Sequence, residues 1–145
     1  MNEETNKSFE YRIIHDRNFV IEQHRKMWRY IANEVSKDRC CISVLKLEYI
    51  EKQTKGGIRN NCFLCNYAVS RISYFGEVKC EMCPVVWKRG YCYMHGSEYN
   101  RFMRFMKKLF YDEYGSEMEK KHLIRRASKL AYKISELPER KEHNV

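Results

Sequence analysis

Four of the seven cysteines form two Cys-x-x-Cys pairs, Cys62/Cys65 and Cys80/Cys83, with fourteen residues between the pairs. Two residues between thiols let both sulfurs of a pair reach one metal ion from a single turn. A loop of this length brings the second pair round to complete a tetrahedron. Four thiolates leave no open coordination position, so a metal held this way is structural rather than catalytic. Zinc is expected ahead of an iron–sulfur cluster, although four thiolates hold either. Cys92 and His95 add a Cys-x-x-His pair close by, and either is a substitute for one of the four ligands. The plainer expectation makes Cys92 a small core residue and His95 a cap for a helix starting near Ser97. Asn66 and Pro84 stand where a common zinc knuckle has glycine after its second cysteine. Asn tolerates the left-handed conformation. Pro84 has no N–H to offer a sulfur and holds Cys83 towards extended geometry, so the second pair need not be a standard knuckle. Adjacent cysteines rarely chelate one metal together, and Cys40-Cys41 is expected to bury one thiol in helix packing.

Catalytic patterns are not evident. The chain has no phosphate-binding glycine loop, no Gly-x-Ser-x-Gly elbow and no His-Glu-x-x-His. A zinc deaminase carries proline before its Cys-x-x-Cys, whereas Pro84 follows the second pair here. A His-containing zinc nuclease needs a histidine near its cysteine pairs. None lies between Cys65 and Cys80, and His95 stands alone. A non-enzymatic protein is expected.

These side chains need a scaffold, and its pattern is helical. Residues 1–15 carry weak signals and are expected as an N-terminal arm. From Asp16, a good N-cap, Val20, His24, Met27, Trp28, Ile31 and Val35 recur at three- and four-residue steps. A shorter helix is expected over 42–53, with Val44, Leu45 and Tyr49 inward and Gly56-Gly57 as its break. After Cys65, the residues Ala68, Val69, Ile72 and Phe75 fit a short helix stopped by Gly76. Tyr99, Phe102, Met103, Met106, Leu109 and Phe110 form one apolar face, with Gly115 as C-cap. From Ser116 a last helix places Leu123, Ile124, Ala127, Leu130, Ala131 and Ile134 on one side, and Pro138 ends it. The expected fold is therefore mainly α: a small helical domain of about four or five helices with an inserted four-cysteine zinc-binding segment. Its parts are N-terminal helices over 16–57, the zinc-binding segment over 58–95, a C-terminal helical hairpin over 96–138 and a tail over 139–145.

Charge points to the partner. The net charge is +9. Residues 1–58 carry eleven basic and nine acidic side chains, and residues 59–145 carry seventeen and ten. One zinc with four thiolates lowers the total by about two charges and leaves the chain basic. Such an excess favours acidic partners, nucleic acid first among them. The candidate footprint is Arg101, Arg104 and Lys108 on one helix and Lys121, Arg125, Arg126, Lys129 and Lys133 on the next. Lys88 and Arg89 join it in the Trp87-Lys88-Arg89-Gly90-Tyr91 run, where aromatics interleave with cations. Aromatics at helical spacing, such as Tyr99, Phe102 and Met106 with them, are expected in the core. The polar, acidic first ten residues lack an apolar leader core, and no run approaches eighteen apolar residues. No membrane partner is expected, the compartment is expected to be the cytoplasm, and the thiols are expected to be reduced.

The order of several short segments carries a resemblance. His24-Arg25-Lys26-Met27-Trp28 is followed by Leu45-Lys46-Leu47-Glu48-Tyr49. Cys62-Phe63-Leu64-Cys65-Asn66-Tyr67-Ala68 and Cys80-Glu81-Met82-Cys83-Pro84-Val85-Val86-Trp87 come next, and Glu136-Leu137-Pro138-Glu139-Arg140 closes the order. Over most of residues 20–140 the chain resembles small cysteine-rich proteins encoded by phages and prophages of Gram-positive bacteria. Cys-x-x-Cys-x-Tyr-Ala and Cys-x-x-Cys-Pro-x-x-Trp are its most specific parts. The resemblance implies a phage gene product acting in the bacterial host cytoplasm and supplies no catalytic residue. The leading expectation is a zinc-stabilised protein that engages nucleic acid or a host nucleoprotein machine. The alternative is an inhibitor of a host protein, such as a CRISPR defence complex or a transcription enzyme, acting by direct contact. A small zinc-containing nuclease ranks third.

Overall fold

Asp16 separates the first two helices, and the second of them organises the rest. A computed structural model describes residues 3–54, 62–69, 82–90 and 92–141. Cys80, Tyr91, Gly56-Gly57 and the expected helix beyond Val69 lie outside the described residues. In chain order the helices are α1 (Glu3–His15), α2 (Arg17–Val35), α3 (Ile42–Gln53), α4 (Phe63–Val69), α5 (Glu98–Phe110) and α6 (Glu117–Ser135). The described residues are mainly helical; no strand occurs among them, only isolated bridges at Val85–Glu139 and Trp87–Gly90.

Residues 3–15, expected as an arm, are helical, and Phe9 and Ile13 are buried. Phe9 packs edge-on against Phe19 and Phe63, which gives α1 a place in the core despite its polar sequence. Asp16 then turns the chain. Its backbone is extended, and its Oδ1 accepts the Phe19 N–H at 3.0 Å, satisfying one of the free donors at the start of α2. The expected stripe of α2 is buried as a unit from Val20 to Val35 and contacts α1, α3, α4 and α6.

α3 buries Leu45, Lys46, Tyr49 and Ile50. Val44, expected inward, is exposed, because the stripe at three- and four-residue steps runs through 42, 45, 46, 49 and 50. Glu48 ties α3 back to α2: it accepts the Tyr30 hydroxyl at 2.7 Å and Arg39 Nη1 at 2.8 Å. α5 ends at Phe110, with Tyr111 as C-cap and Asp112 at φ 53°, rather than at Gly115. Phe110 is consequently exposed, while Phe102, Met106 and Leu109 are buried. Gly115 serves the next helix. Its N–H goes to Glu119 Oε2 at 2.6 Å, while Ser116 Oγ accepts the Glu119 N–H at 3.2 Å, a reciprocal cap like a capping box but displaced by one residue on the carboxylate side.

α6 lies against both α2 and α5. Two cross-links set its register on α2. Ser128 Oγ donates to the Ala32 carbonyl at 2.8 Å, and His24 Nε2 lies 3.0 Å from the Ile134 carbonyl, an acceptor in the last turn of α6 that also takes the Leu137 N–H at 3.4 Å. A carbonyl only accepts, so His24 carries its proton on Nε2. Burial pushes the His24 pKa down to about 4. The folded protein therefore holds His24 neutral, while the unfolded chain takes up a proton below about 6.5. Stability on this account is full above pH 6.5, falls as pH drops towards 4, and loses on the order of 3 kcal/mol across that window. Denaturant melts of the wild type and His24→Gln between pH 7.5 and 4 should diverge in slope. Parallel curves would remove His24 from the account.

Candidate functional site

The cysteine region is held to the helical body by the end of the chain. Val86 N–H donates to the Pro138 carbonyl at 2.9 Å and Arg140 N–H to the Pro84 carbonyl at 2.7 Å. The Arg140 side chain adds a bond from Nε to the Cys83 carbonyl at 3.0 Å. Arg17 donates to the Arg140 and Pro84 carbonyls, and both Arg17 and Arg25 face Glu139. Residues 139 and 140, expected within a tail, are thus part of this frame. On the other side, Ser97 Oγ donates to the Cys92 carbonyl at 2.5 Å and accepts the Asn100 N–H at 3.1 Å, so Cys92 is fixed to the first turn of α5. Ser97, not His95, is the cap, and His95 is exposed.

Within this frame the sulfurs meet donors suited to thiolates. Cys62 precedes α4. Its sulfur accepts the Cys65 thiol proton and the backbone N–H groups of Cys65 and Leu64. The Cys65 hydrogen bond and the nearby Lys46 charge hold Cys62 well below the usual thiol range, against its burial. Cys65 is pushed up for the converse reason. It donates to Cys62, is itself partly buried, and feels the charges of Cys62, Cys92 and Cys83. Burial also raises Cys83, opposed by the Val85 N–H, the Trp87 indole N–H and Arg140. Cys62 and Cys83 therefore each accept the backbone N–H two residues on, and Pro84 does not prevent this because the donor is Val85. The core continues on either side, with Phe63, Leu64, Val85 and Trp87 all buried. Among the described residues no three His, Cys, Asp or Glu side chains converge closely enough to hold a metal ion, and Cys80 is not among those residues. The donor chemistry nevertheless fits a soft, positively charged centre. Lys46, buried at 8% exposure with its Nζ over the rings of Trp28 and Tyr99, acts on Cys62, and Arg140 acts on Cys83; the two would offset the excess negative charge of a zinc tetrathiolate. Sequence reasoning missed both residues. Lys46 was detectable as a lysine inside the 42–45–49 stripe; Arg140 was not, since its role depends on a contact across more than fifty residues.

Cys40 and Cys41 lie elsewhere. Cys40 is half-buried against the core, and its thiol lies 3.6 Å from Asp38 Oδ1; burial pushes its pKa up to about 11. Both cysteines border a cleft of about 470 Å³ against α5, whose wall includes Met103, Arg104, Phe110 and Tyr111.

The expected basic footprint divides. A groove of about 760 Å³ between α2 and α6 is lined by Arg29, Lys121, Arg125 and Lys129, with Asn33, Ser36, Ser128 and Tyr132. A second groove of about 200 Å³, between α5 and α6, is lined by Arg101, Arg126, Lys129 and Lys133, with Phe105 and Leu130. No carboxylate lines either groove. Among the described residues none of these seven cations forms an ion pair, while the acidic side chains Glu22, Glu34, Asp38, Glu48 and Glu139 are engaged by other cations. The Arg126 guanidinium stacks over Phe105, 4.8 Å from the ring centroid, which holds it at the groove wall. Lys88, Arg89, Arg104 and Lys108 line neither groove. Trp87, expected among interleaved aromatics, is buried, and so is Phe102; neither can stack on a base. Arg29 was missed because only the packing of α2 on α6 brings it beside Lys121 and Arg125. Tyr132, 51% exposed, is the aromatic that the groove presents.

Comparison of the chain with protein-family models, curated proteins and solved structures gave no match. Among the described residues no helix is long and apolar enough to cross a membrane.

Proposed function

We propose that the chain is a non-enzymatic, phage-type binding protein, stabilised by structural zinc, that engages nucleic acid through the basic grooves of its C-terminal helices. The observation that carries this reading is the pair of grooves flanking α6, lined by seven cations and no carboxylate. An unneutralised cationic surface of this size repels itself, and a phosphate backbone relieves that repulsion while releasing its own counterions. Zinc would be held by Cys62, Cys65, Cys80 and Cys83, with Cys92 a substitute for one of them; binding would draw the described sulfurs closer together than they stand and close the segment onto the core without offering a site for chemistry.

The test is binding of labelled DNA and RNA, duplex and single-stranded, over a range of salt concentrations. Micromolar or tighter binding with a steep salt slope is expected for at least one of them. Lys121, Arg125, Arg126 and Lys129 changed together to Glu should keep the wild-type melt and lose at least about a hundredfold in affinity. No binding of any probe at low salt would overturn the reading.

A second reading, inhibition of a host protein by direct contact, is favoured by the cleft beside Cys40 and Cys41. There Phe110 is 57% and Tyr111 62% exposed. Its signature is an association that changes little with salt.

A further inference from the structure

We propose that α6 is the element that enters the nucleic acid and that its ligand is the major groove of duplex DNA; this rests on the nucleic-acid reading above. The argument starts from the helix itself. At roughly 100° per residue, the exposed positions from Lys121 to Lys133 occupy an arc of about 140°, and Ala127, Leu130, Ala131 and Ile134 fill the buried side. Depressions run along both edges of that arc, one against α2 and one against α5. A helix with a groove on each side is a ridge, and this ridge is cationic on both slopes. Lys121 and Arg125 face the α2 side, Arg126 and Lys133 the α5 side, and Lys129 lines both grooves.

Dimensions and charge select the ligand. An α-helix with its side chains is about 10–12 Å across, and the major groove of B-form DNA is about 12 Å wide. The two strands that border that groove carry phosphates on both sides of an inserted helix, which matches cations on both slopes. Lys121 to Lys133 spans about 18 Å, the length of roughly five base pairs. A single strand has one backbone and would occupy one groove, leaving the other slope uncompensated. The major groove of A-form RNA is too narrow to admit a helix. Lys129, at the crest between the slopes, is placed to reach base edges, for which guanine O6 and N7 are the acceptors a lysine prefers. Glu136, at the end of α6, bounds the cationic stretch.

The experiment uses the full zinc-loaded chain and four labelled probes: one sixteen-base-pair sequence as duplex DNA, the same sequence as duplex RNA, and a single strand of each. Two double variants accompany the wild type, Lys121→Ala with Arg125→Ala and Arg126→Ala with Lys133→Ala. All four positions are exposed, so both variants should fold. Duplex DNA is expected to bind at least about tenfold tighter than the other probes, with guanine N7 protected from methylation. Each double variant should flatten the salt slope by about two. Equal or tighter binding of single strands or duplex RNA, unprotected N7, or sensitivity to only one slope of α6 would overturn the groove assignment and leave the nucleic-acid reading standing. Absence of binding to every probe would overturn both.

Discussion

Cys62→Ser should release one zinc per chain and lower the melting temperature by more than about 10 °C. The proposed ligands sit between core residues. Cys62 adjoins Phe63 and Leu64, and Cys83 lies two and four residues before Val85 and Trp87, all four of them buried. A segment this short cannot hold such side chains in place on its own, and metal binding then becomes folding energy. A structural zinc contributes on the order of 10 kcal/mol, comparable to the whole stability of a small domain. Without it, Phe63 leaves its ring contacts with Phe9 and Tyr49, and α1 loses part of its seat. Native mass spectrometry gives the stoichiometry and circular dichroism the melt. Cys40→Ser is the control and should retain the metal, since Cys40 faces Asp38 rather than the other sulfurs. Cys80→Ser and Cys92→Ser, compared in the same assay, identify the fourth ligand. A Cys62→Ser protein with the wild-type melt and no zinc in either protein would end the metal assignment.

Trp28→Ala is expected to cost about 3–5 kcal/mol, the range for emptying the site of a large buried aromatic. Trp28 is 3% exposed and stands where α2, α3 and α5 meet. Its ring is edge-on to Phe102 at 5.2 Å and to Tyr99 at 6.0 Å, and Lys46 Nζ lies 5.6 Å from its centroid. Truncation opens a cavity, breaks both edge-to-face pairs and removes one of the two π faces under a buried ammonium. Trp28→Phe keeps a ring and should recover much of the loss. Urea unfolding measures both. A Trp28→Ala cost below about 1 kcal/mol would mean that α5 is not seated on α2 through this residue.

Local chemistry made some of the molecule legible from the chain alone. Asp16 and Ser116 cap because of what their side chains can accept, and the stripes of α2, α5 and α6 follow from helical period; both kinds of information lie within a few residues. The Cys-x-x-Cys spacing is local information of the same kind, and it sets Cys62 and Cys65 beside one another at the start of α4. α1 was not legible. Its sequence is polar overall, and Phe9 is buried only because Phe19 and Phe63 stand opposite. The end of α5 was misjudged for a similar reason. Gly115 is a good stop in isolation, but its N–H serves the Glu119 carboxylate of the next helix.

The basic residues draw the same line. By itself the sequence determined that the last third is cationic and that its charges oppose an apolar face, because composition and period are properties of the chain. Only the tertiary structure decided which cations act together. Packing α6 between α2 and α5 recruited Arg29, set Lys129 between two grooves and left Lys88, Arg89, Arg104 and Lys108 outside them. It also buried Trp87 and brought Lys46 and Arg140 within reach of the thiols. Electrostatic interaction depends on distance through space and on the exclusion of water, and neither is encoded in the spacing of residues along one helix.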